Sequence, residues 1–216
     1  MTMPTSSMKM IVSDEEIAQR ARAAGKSGFP LTAVLLLKQL RRSTTLAPHQ
    51  TFLLADSLRL LGLHREALVL FEQLWQLDVS NKNRWLVPIR IGNIWSSLGD
   101  LTRAEAAFRE AAKLNPSSTV PWVYLGTTIA KSGRFDEAIE AYRSGLDAQG
   151  DLDEVYMNLG YSLMAVGRLE EAKDAFRSAI AITSDYDEAN DGLLDLECAI
   201  ATGIQPFDKA EEPGVR

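Results

Sequence analysis

Few residues in this 216-residue chain have a type and spacing that could support catalysis or metal binding. The two histidines, His49 and His64, are 15 positions apart and have no cysteine near them, whereas zinc ligands usually occur in closely spaced pairs. The chain contains no GxxxxGK loop, no GxGxxG motif and no GxSxG motif. Acidic pairs such as Glu170-Glu171 open helical segments, where the helix dipole stabilises negative charge. We therefore predict that the protein is not an enzyme and holds no cofactor and no metal.

The composition is that of a soluble globular protein, with 46% hydrophobic and 24% charged residues. No apolar run approaches the roughly 20 residues of a membrane-spanning helix, and residues 1–12 lack the apolar core of a secretory signal. The single cysteine, Cys198, excludes an internal disulfide framework. These features predict one soluble domain in the reducing cytoplasm.

The elements that must position any functional residue are set by an internal repeat. Gly62, Gly99, Gly133 and Gly167 follow one another at spacings of 37, 34 and 34 residues. An alanine lies five residues after each glycine and an aromatic residue lies nine after it: Ala67 and Phe71, Ala104 and Phe108, Ala138 and Tyr142, Ala172 and Phe176. A repeat near 34 residues is typical of paired short helices that stack on their neighbours.

The residues upstream of these glycines identify the kind of repeat. Trp122-x-x-Leu125-Gly126 recurs as Tyr156-x-x-Leu159-Gly160, and Asn115-Pro116 closes a unit. The chain thus resembles the tetratricopeptide-repeat (TPR) family over about residues 14 to 201. The resemblance implies an all-α fold: a right-handed TPR superhelix, or α-solenoid, of about five helix-turn-helix repeats plus a C-terminal capping helix.

The repeat register predicts the organisation of the chain. Gly28 lies 34 residues before Gly62 and is followed by Ala33 and Leu37, which indicates a degenerate first repeat. An insertion near residues 81–83 explains the spacing of 37. The predicted single TPR domain, 13–201, then contains repeats at about 14–47, 48–84, 85–118, 119–152 and 153–186 and a cap at 187–201. Residues 1–12 and 203–216 are predicted to be disordered tails.

Three helix starts also carry a capping signature, in which a capping side chain is followed three residues later by Glu. These starts begin at Ser13, Asp151 and Asp185. We expect each to satisfy backbone N–H groups at the start of a helix.

In proteins similar to the TPR family, the first helix of each repeat, helix A, lines a concave groove, and helix B forms the outer layer. The resemblance therefore implies a partner-binding groove whose residues come from four helices A: Phe52, Asp56, Arg59, Leu86, Ile89, Asn93, Val123, Thr127, Lys131, Met157, Tyr161 and Met164. Phe52, Ile89, Val123 and Met157 share one repeat position, so we expect an apolar ladder in which Ile89 and Met157 face solvent.

Charge is unevenly distributed along the chain. Residues 1–100 contain 12 Lys and Arg and 8 Asp and Glu, a net charge of +4, whereas residues 101–216 contain 11 and 21, a net charge of −10. The acidic half argues against a nucleic-acid partner and is either a solvated surface or a site for a basic partner. Lys38, Arg41 and Arg42 cluster late in a helix B, where cations offset the helix dipole.

These features predict a non-enzymatic scaffold that binds an extended or helical segment of another protein in its groove. The resemblance also allows a cytoplasmic secretion-type chaperone for a hydrophobic client, or an accessory repeat domain for an enzyme acting in trans. Some TPR domains hold acidic chaperone tails with a clamp of Lys, Asn and Arg residues. Asn93 and Lys131 fit parts of that clamp, but Asp56 stands where Asn is needed and would repel a carboxylate.

Overall fold

The computed structural model describes residues 12–77 and 83–202, and within these ranges the protein is built of α-helices joined by short turns. The helices, in chain order, are α1 (Asp14–Lys26), α2 (Pro30–Ser43), α3 (Pro48–Leu60), α4 (His64–Gln76), α5 (Leu86–Ser97), α6 (Leu101–Leu114), α7 (Thr119–Lys131), α8 (Phe135–Leu146), α9 (Leu152–Ala165), α10 (Leu169–Ile182) and α11 (Asp187–Thr202). The described residues form no β-strand; one isolated bridge joins Ser118 to Gln149.

The chain divides into two compact units, Met1–Val79 and Ser80–Arg216. In the described part of the first unit, α1 packs on α2 and α3 packs on α4, while α3 also contacts α1 and α2. In the second unit, α5 to α10 form three hairpins, and each new helix A contacts both helices of the preceding hairpin. Helix α11 packs on α9 and α10 in the same way. The fold is therefore all-α and built of stacked helical hairpins, as predicted.

The observed hairpins follow the predicted register, but the precise repeat limits and the treatment of 13–201 as one domain remain predictions. The predicted tails lie outside the described residues, apart from Val12. The predicted insertion also lies largely outside them, since only Asn83 of the segment 81–83 is described.

The glycines that define the repeat lie in the turns between paired helices. Gly62, Gly99, Gly133 and Gly167, together with Gly28, have φ between +74° and +79°. This left-handed conformation is open to glycine at little cost and strained for other residues, which explains why each hairpin turn requires glycine. The predicted role of these residues is confirmed.

A second set of glycines allows close packing between the two helices of a hairpin. A Cβ atom added at Gly126 would lie 2.5 Å from Cε1 of Tyr142, and one added at Gly92 would lie 2.5 Å from Cε1 of Phe108. At Gly160 the nearest atom would be Cε1 of Phe176, at 2.8 Å. These aromatic rings are the ones that the repeat pattern placed nine residues after each turn glycine, and all three are fully buried.

The predicted helix caps were only partly right. The Ser13 hydroxyl accepts the Glu16 N–H at 3.2 Å, as expected. At α9 the prediction was wrong, because the Asp153 carboxylate accepts the Glu154 N–H at 2.9 Å and the Asp151 side chain makes no capping bond. Helix α11 begins at Asp187, so the residue before its first turn is Tyr186 and not the predicted Asp185.

Candidate functional site

The candidate binding surface in the second unit is formed by helices α5, α7, α9 and α11, each of which contacts the next. We call this surface the A-helix face. Helices B lie behind it and supply the buried aromatic residues Phe108, Tyr142 and Phe176. Each helix A in the three hairpins is short, with 12 to 14 residues, so it can present about one residue per turn to this face.

Two contacts within the first unit involve its three predicted groove residues, Phe52, Asp56 and Arg59. Phe52 is partly buried and meets the ring of Phe71 edge-on, with ring centroids 5.5 Å apart. Arg59 Nε donates to Asp56 Oδ1 at 2.7 Å. Their role in binding a partner remains a prediction.

Two residues of the predicted apolar ladder belong to the core. Ile89 is only 1% exposed and Val123 only 8%, and both lie in one buried cluster with Phe108 and Tyr142. The expectation that Ile89 faces solvent was therefore wrong. Because α5 and α7 are in contact, apolar residues that point between neighbouring helices A become enclosed.

The polar residues predicted on α5 and α7 have different surroundings. Thr127 Oγ1 lies 3.1 Å from the Tyr142 hydroxyl, so its hydrogen-bonding capacity is partly used inside the unit. Lys131, the last residue of α7, is exposed, whereas Asn93 and Leu86 on α5 are partly buried. Lys131 is the single cation among the predicted groove residues of the second unit, and it is accessible.

Helix α9 presents Met157, Tyr161 and Met164. The two methionines are partly buried against the hydrophobic core. Tyr161 is exposed along one side, and its ring meets Phe176 edge-on at a centroid distance of 5.0 Å. Its hydroxyl donates to the backbone carbonyl of Glu188 at 2.8 Å, which ties α9 to α11.

The structure reveals two accessible residues that the sequence reasoning missed. Tyr124, next to Val123 on α7, is partly exposed and stacks on Phe108 with centroids 5.1 Å apart and planes 15° apart. Leu194 on α11 is 62% exposed. The sequence contained a signal for Tyr124, because Tyr124 directly follows Val123, which was a predicted groove residue. It contained none for Leu194, because the predicted groove included no residue of α11.

Carboxylates at the start of α9 affect the ionisation of the Tyr142 hydroxyl and of one another. Burial raises the pKa of the Tyr142 hydroxyl to about 12, an effect that Thr127 opposes and Glu154 reinforces. The pKa of Glu154 is itself raised, first by burial and then by repulsion from Asp151 and Asp153.

The same electrostatic character continues towards α11. The pKa of Tyr161 is raised by burial and by the charges of three carboxylates, Asp191, Asp195 and Glu188. This end of the A-helix face therefore has a negative potential, which favours cationic groups on a partner.

Comparison with known proteins agrees with this geometry. A family model for the tetratricopeptide repeat matches residues 96–153 and, in a second overlapping placement, 125–187. These ranges contain the turn glycines Gly99, Gly133 and Gly167 and the buried aromatic residues Phe108, Tyr142 and Phe176. Residues 96–187 therefore belong to the tetratricopeptide-repeat family. No curated protein matches it by sequence.

Solved structures extend the TPR comparison beyond the matched residues. A crystal structure of MamA protein is 18% identical, with a TM-score of 0.65, and the alignment covers 93% of this chain and 98% of that one. MamA 41-end from Desulfovibrio magneticus RS-1 is 17% identical, with a TM-score of 0.68 and coverages of 81% and 97%. YrrB, described as a TPR protein with an unusual peptide-binding site, is 17% identical, with a TM-score of 0.62 and coverages of 82% and 90%. At these identities the similarity shows the fold.

The TPR register also explains a series of ion pairs between successive helices B. A cation ten residues after a turn glycine pairs with a Glu four residues after the next turn glycine. The three pairs are Lys38–Glu66 at 3.1 Å, Arg109–Glu137 at 3.9 Å and Arg143–Glu171 at 3.4 Å. Glu105 adds to the series by accepting from both Arg109 and Arg134. The helix B surface of the second unit is thus largely charge-matched, whereas the first unit contributes one pair of this series, Lys38–Glu66.

The residues with potential for chemistry are dispersed in this TPR fold. Nε2 of His49 lies 3.2 Å from Nη2 of Arg22, and Cys198 is exposed on α11. Across residues 12–77 and 83–202, no three His, Cys, Asp or Glu side chains come together as a metal site. None of the helices in these ranges has the length and apolar character needed to cross a membrane.

Proposed function

We propose that this TPR protein is a non-enzymatic interaction scaffold, and that the A-helix face of the second unit binds an extended or helical segment of a partner protein in the cytoplasm. The observation that carries the proposal is the contrast between two surfaces. Successive helices B of the second unit are linked by ion pairs and expose large apolar side chains at their last residues, Leu114 and Ile182. The A-helix face exposes Tyr124 and Leu194 within its helices and part of Met157 and Met164. Tyr and Met are common in protein interfaces.

The side chains of this face are suited to act as fixed anchors. Stacking on Phe108 holds the Tyr124 ring in place, and the hydrogen bond to Glu188 holds Tyr161. A side chain that is already ordered loses little conformational entropy when a partner binds. We therefore expect a few apolar contacts on Tyr124, Met157 and Leu194 to supply most of the affinity.

The charges on the face suggest the orientation of the partner segment. Glu154, Asp191 and Asp195 give the α9–α11 end a negative potential. By contrast, the end of α7 carries a cation, Lys131. The proposed partner thus carries Lys or Arg where it meets α9 and α11.

Site-specific photo-cross-linking tests the proposed function directly. A photoreactive phenylalanine analogue placed at Tyr124 or Leu194 is expected to capture one protein from the native cells. The same analogue at Leu114, an exposed apolar residue of helix B, is the control and should not capture it. Tyr124→Glu and Leu194→Glu should abolish co-purification of that protein with unchanged helicity. Equal capture from Leu114, or retention by both Glu variants, would rule out the A-helix face.

A further inference from the structure

A second surface, on the first unit, departs from the charge-matched pattern of the other helices B. Two adjoining depressions lie along α2 and α4 and share Arg41, Leu70 and Gln73. One has a volume of about 240 Å³ and the other of about 670 Å³. We call them together the α2–α4 cleft; its further lining residues include Lys38, Arg42, Thr44, Thr45, Arg65, Val69 and Leu77.

The cleft carries an excess of positive charge. It has four cations and one carboxylate, Glu66, which is held by Lys38 at 3.1 Å. Arg41, Arg42 and Arg65 form no ion pair with the other residues that the structure describes. All three side chains are exposed.

Arg65 is at a position where the local physics disfavours a cation. It lies in the first turn of α4, where the partial positive charge of the helix dipole repels it. The corresponding residues of the later helices B, three after the turn glycine, include Asp136 and Glu170. A residue that breaks a local rule without compensation inside the fold is a candidate for function.

Arg41 breaks the repeat pattern in a second way. The corresponding position in later helices B, thirteen residues after the turn glycine, holds Ala112, Leu146 and Ile180. Those apolar residues are buried or pack against the core. At Arg41 the chain instead has an exposed guanidinium beside an open depression.

The apolar residues of the cleft add a second requirement for its ligand. Leu54, Leu58 and Leu70 form its floor, and Val69 and Leu77 are exposed at its edge. Hydroxyl groups of Thr44 and Thr45 line the larger depression. A ligand that fits this surface combines carboxylates with apolar side chains.

We propose that the α2–α4 cleft is a second binding site, and that it takes an acidic segment of a partner protein in which apolar residues alternate with Asp or Glu. Arginine recognises carboxylates through paired hydrogen bonds, and clusters of Arg are a common means of binding acidic motifs. The apolar side chains of the segment cover Val69 and Leu77, while its carboxylates meet Arg41, Arg42 and Arg65. This site is separate from the A-helix face and opposite to it in charge preference.

The test uses the full chain and three fluorescein-labelled peptides that alternate Leu with Glu, Gln or Lys. Fluorescence anisotropy is expected to show binding of the Glu-Leu peptide, weakened by salt between about 50 and 300 mM, and no binding of the Gln-Leu peptide. The Lys-Leu peptide suits the negatively charged A-helix face instead, so it should not compete with the Glu-Leu peptide. The double variant Arg41→Glu/Arg65→Glu should weaken it by roughly tenfold or more. The matched control, Lys26→Glu/Lys113→Glu, changes net charge equally at two other helix ends and should bind as the parent does.

Two further measurements keep the outcome interpretable. Circular dichroism should show that both double variants melt as the parent does. Amide chemical-shift changes on adding the Glu-Leu peptide should map to α2 and α4, and Leu194→Glu should leave its affinity unchanged. No binding of this peptide, equal loss in the control variant, or shift changes confined to the second unit would overturn the proposal. An oligomer of the free protein that Arg41→Glu/Arg65→Glu dissociates would also overturn it, since a second copy would then occupy the cleft.

Discussion

At the scale of single residues, each hairpin of the second unit packs a helix A glycine closely against an aromatic ring of helix B. The space that would hold a Cβ at Gly126 is occupied by the ring of Tyr142, 2.5 Å away. The ring cannot easily move, because Tyr142 is fully buried and its hydroxyl lies 3.1 Å from Thr127 Oγ1. The size of the side chain at position 126 is therefore limited by the Tyr142 ring on the neighbouring helix and not by the backbone of α7.

We expect Gly126→Ala to overpack this hairpin and to lower the free energy of unfolding by roughly 1–3 kcal/mol, measured by urea denaturation. The control is a double-mutant cycle with Tyr142→Leu, which removes the ring. If the ring is the cause, the two losses should not add. An unchanged midpoint for Gly126→Ala, or strict additivity in the cycle, would contradict this assignment.

The residues that sequence could and could not predict differ in what fixes them. The turn glycines and buried aromatics were predictable, because a 34-residue period requires the same backbone turn and the same crossing in each copy. The burial of Ile89 was not, because it depends on how closely α7 approaches α5. Tyr124 was missed for the same reason, since its accessibility depends on the ring of Phe108 beneath it.

At the scale of helices, neighbouring helices B are linked by ion pairs as well as by apolar packing. Among the ion-paired carboxylates of the described residues, Glu105 on α6 is the most enclosed, because its side chain is only 16% exposed. It accepts from Arg109 on its own helix and from Arg134, the residue before α8. The periodic pairs of Lys38, Arg109 and Arg143 could have been predicted from the repeat register. The pair of Glu105 with Arg134 could not, because it joins a helix B to the turn of the next hairpin.

We expect Glu105→Gln to lower the free energy of unfolding by about 1 kcal/mol, because it removes the more enclosed of the two carboxylates that Arg109 and Arg134 share and leaves them Glu137 alone. The loss should shrink in high salt, where the repulsion between the arginines is screened. Glu140→Gln is the matched control: its side chain is 71% exposed and pairs with Arg143 alone, so little change is expected. Equal effects from the two variants would show that enclosure at Glu105 is unimportant. The measurement is urea denaturation at two ionic strengths.

At the scale of the whole molecule, the described part of the second unit begins with a complete hairpin, α5 and α6, and ends with a single helix, α11. Its last helix, α11, has no helix B after it within the described residues, yet it closes the hydrophobic core. Ala189 and Leu196 are completely buried, and a Cβ added at Gly192 would lie 2.7 Å from Cε1 of Phe176. The sequence predicted a cap here from the register, but the close approach at Gly192 could not be foreseen, because α11 does not repeat the Leu-Gly pattern of the other helices A.

Because stacked repeats are stabilised mainly by contacts with their neighbours, deletion of the chain from Asp187 onward should expose Phe176 and release the Tyr161 hydroxyl from Glu188. We expect a lower melting midpoint, a loss of roughly 3–5 kcal/mol in unfolding free energy, and aggregation through the exposed aromatic surface. Truncation after Thr202 is the control, since it retains α11 and all of its described contacts and should leave the midpoint unchanged. Thermal melting followed by circular dichroism, together with light scattering, measures both effects. A protein without α11 that remains as soluble and as stable as the full chain would show that α9 and α10 need no cap, and that the stacking of this unit ends on a self-sufficient hairpin.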